Sequence, residues 1–179
     1  MKIFLLCLLL LGAMGLNAQE AERVVKAEII VNAALDAVWE AWTTEAGIKT
    51  FFAPACKIEP RVDGAYEMYF NPDGATGQRG GEGNVILALQ PQKMLAFTWN
   101  APPHLPNVRQ QRTSVVVRFK ALEKSQTKVT LTESGWGEGE ELDKAFAYFS
   151  KAWQEVVLPR LKYRFAVGPV DWEKPPVLN

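Results

Sequence analysis

Glu133 occupies the position in this chain that most invites chemistry. In the segment Val129-Thr130-Leu131-Thr132-Glu133-Ser134, apolar residues recur at every second position, the period of a strand with one face turned to a core. Counting on by two from Val129 and Leu131 sets the Glu133 carboxyl on that same apolar face. Burial there raises a carboxyl pKa unless a cation pairs with it, which would leave a group suited to general acid or base work. Arg112, one strand earlier and also near a strand end, is the expected partner. Two roles are open: a salt bridge tying the sheet to the start of a helix, or proton transfer in a cyclase, dehydratase or hydrolase reaction.

Other reactive side chains are sparse. The single histidine, His104, falls in the proline-rich run Pro102-Pro103-His104-Leu105-Pro106, a loop. Of the two cysteines, Cys7 lies in an N-terminal apolar run, and Cys56 opens a strand at Ala55-Cys56-Lys57-Ile58. No nearby histidine lowers the pKa of that thiol. One His and one remaining Cys make no zinc set, and the loop acids Asp63, Asp73 and Glu82 lack the spacing of a calcium loop. No metal and no cofactor is expected. Gly80-Gly81-Glu82-Gly83 lacks the Lys and hydroxyl residue of a phosphate loop and precedes a strand. It reads as a hairpin loop able to cover a cavity.

Charge and the N-terminus narrow the classes further. Lys+Arg 20 against Asp+Glu 20 leaves no basic stripe to neutralise phosphates, so a nucleic-acid partner is not expected. Met1-Lys2 precedes the apolar run Ile3 to Leu11 and the small residues Gly12-Ala13-Met14-Gly15, the pattern of a secretory signal peptide. Cleavage is expected after Ala18, leaving Gln19 first. The run is too short to span a bilayer, so an exported protein, periplasmic or secreted, with no membrane span after cleavage is expected. Residues 19–179 read as one domain with its core over 24–168 and a frayed tail beyond.

The elements that must position Glu133 follow from periodicity. Val24 to Val31 suits a first strand, and Leu35, Val38, Trp39 and Trp42 mark a short amphipathic helix. Gly47 bends the next helical turn, and Ile48, Phe51 and Phe52 form an apolar cluster before Pro54. From Cys56 to Trp136 apolar alternation is broken by turns about every ten residues, the rhythm of an antiparallel meander. Tyr66, Met68 and Phe70 share one face, as do Val85, Leu87 and Leu89, then Leu95, Phe97 and Trp99, then Val115, Val117 and Phe119. A long helix begins near Glu138 to Glu141, where acids favour the positive end of its dipole. Its apolar stripe is Leu142, Phe146, Phe149, Trp153 and Val156, and Pro159 is expected to kink it.

The arrangement is α+β, with two short helices after strand one and an antiparallel sheet of about seven strands wrapped around the C-terminal helix. Three motifs then carry a resemblance: Pro91-x-x-x-Leu95-x-Phe97-Thr98-Trp99, Leu131-Thr132-Glu133-Ser134-Gly135-Trp136, and Trp153-x-x-x-Val157-Leu158. The chain resembles the START-like (SRPBCC) superfamily, in its bacterial branch named after the activator of the ninety-kilodalton heat-shock protein's ATPase. The resemblance covers Val24 to Trp172 and implies a helix-grip fold with a cavity between sheet and helix that takes a hydrophobic small molecule in many relatives.

The expected function is a non-catalytic binding module for such a molecule, in an interior cavity bordered by Tyr66, Met68, Leu87, Trp99, Phe119, Leu131, Phe146 and Trp153. The polar edges of Tyr66, Trp99 and Trp153 are expected to orient the ligand. Two alternatives stand beside it. One is a small-molecule enzyme using Glu133. The other is a cochaperone-like protein-interaction module with Trp136 and Trp172 as exposed anchors.

Overall fold

The computed structural model describes residues 22–178. The expected signal segment, its cleavage point after Ala18 and Cys7 lie outside the described residues. Among the described residues seven strands form two antiparallel sheets. β1 (Val25–Val31), β4 (Ile86–Gln90), β5 (Met94–Trp99), β6 (Thr113–Glu123) and β7 (Gln126–Ser134) make one sheet in the order β1-β7-β6-β5-β4. β2 (Ala55–Ile58) and β3 (Tyr66–Tyr69) make a separate hairpin sheet.

Register explains how the concave face fills. Leu131 of β7 stands opposite Ala27 of β1 and Val117 of β6, and Val117 in turn stands opposite Leu95 of β5. The next row runs Val25, Glu133, Val115, Phe97 and Ile86 across five strands. All its members are buried, Glu133 among four apolar neighbours. In β4 the expected alternation fails, because Ile86 rather than Leu87 faces the core. The pairing slips between Ile86 and Ala88, and a bulge of one residue exchanges the two faces of a strand. Leu87 is 43% exposed and Ile86 1%, so Leu87 borders no interior space.

The helices cover that face. α1 (Leu35–Thr43) buries Val38, Ala41 and Trp42, and α2 (Glu45–Ile48) follows at once, its first turn capped by Thr44 accepting from the Gly47 N–H at 2.9 Å. A Cβ on Gly47 would lie 2.5 Å from both the Ala41 Cα and the Glu40 carbonyl oxygen, so only glycine lets the two helices meet this closely. α3 (Pro106–Arg109) is a single turn that begins at the end of the proline-rich loop.

The C-terminal helix runs from Glu140 to Ala166 as α4 (Glu140–Lys151), a π-helical segment (Ala152–Val157) and α5 (Leu158–Ala166). Pro159, which has no N–H to give, sits in the first turn of α5. The backbone meets it by widening into π geometry just before it. That extra residue per turn shifts the apolar stripe. Val157, Leu158 and Leu161 are buried after Trp153, whereas Val156, expected on the stripe, is 38% exposed. The tail is tied as far as Trp172: Val170 N–H donates to the Thr50 carbonyl at 2.8 Å and Trp172 Nε1 to the Lys49 carbonyl at 2.6 Å.

Candidate functional site

Glu133 is fully buried, as the alternation requires, but its partners differ from those expected. Thr113 Oγ1 donates to Oε1 at 2.6 Å, and Trp153 Nε1 donates to Oε2 at 2.6 Å. Arg112 does not reach it. Its Nη1 donates instead to the carbonyls of Arg109 and Gln111, at 2.8 and 3.2 Å. Glu133 thus has two neutral donors and no cation. Burial pushes its pKa up to about 7, against the pull of the Thr113 and Trp153 hydrogen bonds.

Thr113 lets both protonation states be satisfied. Its hydroxyl lies 3.3 Å from the Trp99 carbonyl as well as 2.6 Å from Glu133. Beside a carboxylate it donates to Glu133. Beside a carboxylic acid it accepts the acid proton and turns its own hydrogen to Trp99.

On the far side of the Trp153 ring lies an apolar groove of about 460 Å³. Its walls are Phe52, Phe70, Trp99, Tyr148, Phe149 and the π-helical residues Ala152, Trp153, Val156 and Val157, with Lys151 and Arg160 also lining it. A further hollow of about 230 Å³ shares Phe70, Trp99, Tyr148 and Phe149 and continues toward Gly80, Gly81 and Asn100. Phe70 and Tyr148 are about half exposed there, at 47% and 46%. Phe52 stacks on Trp99 with centroids 5.7 Å apart, and Trp153 meets Trp99 at 5.6 Å.

Of the eight residues expected to border a cavity, Trp99 and Trp153 line this groove. Tyr66, Met68 and Leu131 are fully buried core, Phe119 is buried against Trp39, and Phe146 packs on Trp136. The middle of the grip is therefore solid, and the space lies to one side of the helix. Phe52 and Phe149 take the places in its wall that periodicity gave to other residues. Of the three polar edges, the Tyr66 hydroxyl donates to the Trp42 carbonyl at 2.9 Å and the Trp153 N–H to Glu133, whereas buried Trp99 Nε1 has no hydrogen-bond partner.

The glycine loop is held by an acid. Glu82 accepts from the Gly77 and Arg79 N–H groups at 2.8 and 2.9 Å and pairs with Arg79 Nε at 2.9 Å and Arg109 at 3.5 Å. Gly80, at φ +137°, lies where a Cβ would be 2.7 Å from the Phe70 ring and 2.8 Å from the Met68 carbonyl oxygen. Gly80 therefore serves close packing against the groove's rim. His104 is exposed in its loop, its ring 6.0 Å from that of Tyr148. Cys56 is buried, and burial pushes its thiol up to about 11. Among the described residues no group of three or more His, Cys, Asp and Glu is placed to hold a metal ion.

The family model described as Activator of Hsp90 ATPase homolog 1-like protein matches residues 32–166. The chain belongs to this family. The match spans α1 through α5, including Glu133, Trp153 and the groove. The fold of the Activator of Hsp90 ATPase homolog 1-like family supports a binding module or a cochaperone-like domain.

Solved structures carry the same architecture. Protein MLL2253 from Mesorhizobium loti is similar at 20% identity and a TM-score of 0.62, over 78% of this chain and 94% of that one. The Aha1 dimer from Colwellia psychrerythraea is similar at 21% identity and a TM-score of 0.62, over 82% and 98%. An HSP90 activator from Plasmodium falciparum is similar at 11% identity and a TM-score of 0.58, over 82% and 96%. No curated protein sequence matches the chain.

The two tryptophans expected as exposed anchors are half-buried and held by hydrogen bonds. Trp136 packs on Phe146 and Phe149 and donates to the Glu133 carbonyl at 3.2 Å. Trp172 is held by Lys49 and lies under Arg160. Among the described residues no helix is long and apolar enough to cross a membrane.

Proposed function

We propose that this protein is a non-catalytic binding module for a small hydrophobic molecule, held in the groove beside the C-terminal helix. The observation that carries this reading is the groove itself: about 460 Å³ walled by aromatic and aliphatic side chains, within the size range of small-molecule sites. A π-helical turn supplies four of its lining residues, and such turns concentrate at functional sites because the wider turn re-aims side chains. Glu133 contacts the back of the groove through Trp153 but does not line it, and both its oxygens are engaged. We assign it to positioning Trp153 rather than to proton transfer.

Native mass spectrometry and thermal shift, after incubation with lipid and aromatic extracts, test the reading. A retained small molecule and a raised melting temperature are expected. No adduct and no shift across a broad panel count against it.

A cochaperone-like role is the second reading, favoured by the family and by the half-exposed Phe70 and Tyr148 at the groove mouth. Export is proposed from the first eighteen residues. Intact mass of protein recovered from a periplasm is expected to begin at Gln19, and a full-length mass contradicts cleavage.

A further inference from the structure

Arg160 is the guanidinium in the wall of the groove, and among the described residues no ion pair answers it there. Arg23 pairs with Asp143, and Arg79 and Arg109 pair with Glu82. Arg112 donates to two carbonyls. Arg160 lines the end of the groove where the π turn gives way to α5, half-buried, its guanidinium 5.2 Å above the Trp172 ring. Among the described residues no carboxylate forms an ion pair with it, and no acidic side chain lines the groove. Burial pulls this guanidinium below its ordinary value, the mark of a cation short of water.

A planar anion would restore what burial removes, since a guanidinium meets a carboxylate through two parallel hydrogen bonds. The groove running away from Arg160 along Val156, Trp153 and Trp99 is walled mostly by apolar side chains. Lys151 also lines it, nine residues earlier and so about two turns back along the helix. Its ammonium stands in water, where an ion pair adds little.

We propose that the groove takes a single-chain amphiphile, its carboxylate head on the Arg160 guanidinium and its alkyl tail along Val156, Trp153 and Trp99. This rests on the hydrophobic-ligand reading above and names the class of ligand.

Calorimetric or fluorescence-displacement titrations with laurate, dodecanol and dodecylamine, below their micelle concentrations, separate head from tail. Wild-type protein is expected to bind laurate about tenfold more tightly than dodecanol, and dodecylamine more weakly than either. Arg160→Gln brings laurate down to the level of dodecanol and leaves dodecanol within about twofold, whereas Lys151→Gln changes neither. Arg160→Lys, which keeps the charge but not the fork, restores part of the laurate preference. Equal binding of laurate and dodecanol by the wild type, or a laurate preference that survives Arg160→Gln, overturns the head-group assignment and leaves the hydrophobic groove standing. If none of the three binds, or if sedimentation shows that the protein closes this face by dimerising and excludes them, both fall together.

Discussion

The indole N–H of Trp153 donates to the Glu133 carboxylate across 2.6 Å, so a single hydrogen bond joins the middle of the C-terminal helix to β7. The same indole forms part of the groove wall. The buried acid is thus linked to the candidate site through one side chain.

Glu133 gives the domain an unusual pH response. The unfolded carboxyl releases its proton near its ordinary value of 4.5 and the folded one at about 7. Between those values the folded protein holds the extra proton, so this residue's contribution to stability falls as pH rises through that window. The fall amounts to roughly 3 kcal/mol at most. Denaturant titrations from pH 4 to 8 are expected to show Glu133→Gln gaining on wild type across the window and then running parallel to it. A constant difference contradicts the raised pKa.

Trp153 combines packing with that hydrogen bond, and two substitutions separate them. Trp153→Ala removes a buried ring and is expected to cost about 3–5 kcal/mol, which leaves little soluble protein. Trp153→Phe keeps most of the packing but strips Oε2 of its donor, for about 1–3 kcal/mol, and moves the pH window upward. Near-wild-type stability of both variants, measured by chemical denaturation, contradicts the packing described.

The bulge in β4 makes a sharp contrast between neighbours. Ile86→Ala is expected to cost about 2–5 kcal/mol, whereas Leu87→Ser stays within about 0.5 kcal/mol of wild type. Thermal and chemical denaturation of the pair check this, and the reverse order places the bulge elsewhere.

These residues also mark what could be read from the chain alone. Strict alternation through Val129, Leu131 and Glu133 placed the carboxyl correctly, because β7 has no bulge over that stretch. It misplaced Leu87, since nothing in Val85 to Leu89 distinguishes a regular strand from one with an extra residue. The helical stripe held up to Trp153 and slipped at Val156, where Pro159 forces a π turn that a period of 3.6 does not anticipate. Phe52 read as an apolar cluster with no address, because its place beside Trp99 depends on how the segment between α2 and β2 folds back. Arg160 is visible in the sequence as a cation that directly follows the apolar run Val156-Val157-Leu158-Pro159, but the groove it lines is not. Trp136 and Trp172 looked like exposed anchors because the carbonyls that receive their N–H groups are visible only in three dimensions.

The groove is tested most directly with a neutral apolar dye such as Nile red, titrated against native protein at neutral pH, for the wild type and for Val156→Asp. Val156 is 38% exposed and lines the groove, so the new charge is tolerated by the fold but faces the apolar walls. Saturable binding with one site per chain is expected for the wild type, weakened about tenfold or more by Val156→Asp with the melting temperature unchanged. Dye that binds only at acid pH or in denaturant, or equally well to both proteins, contradicts a ligand site in this groove.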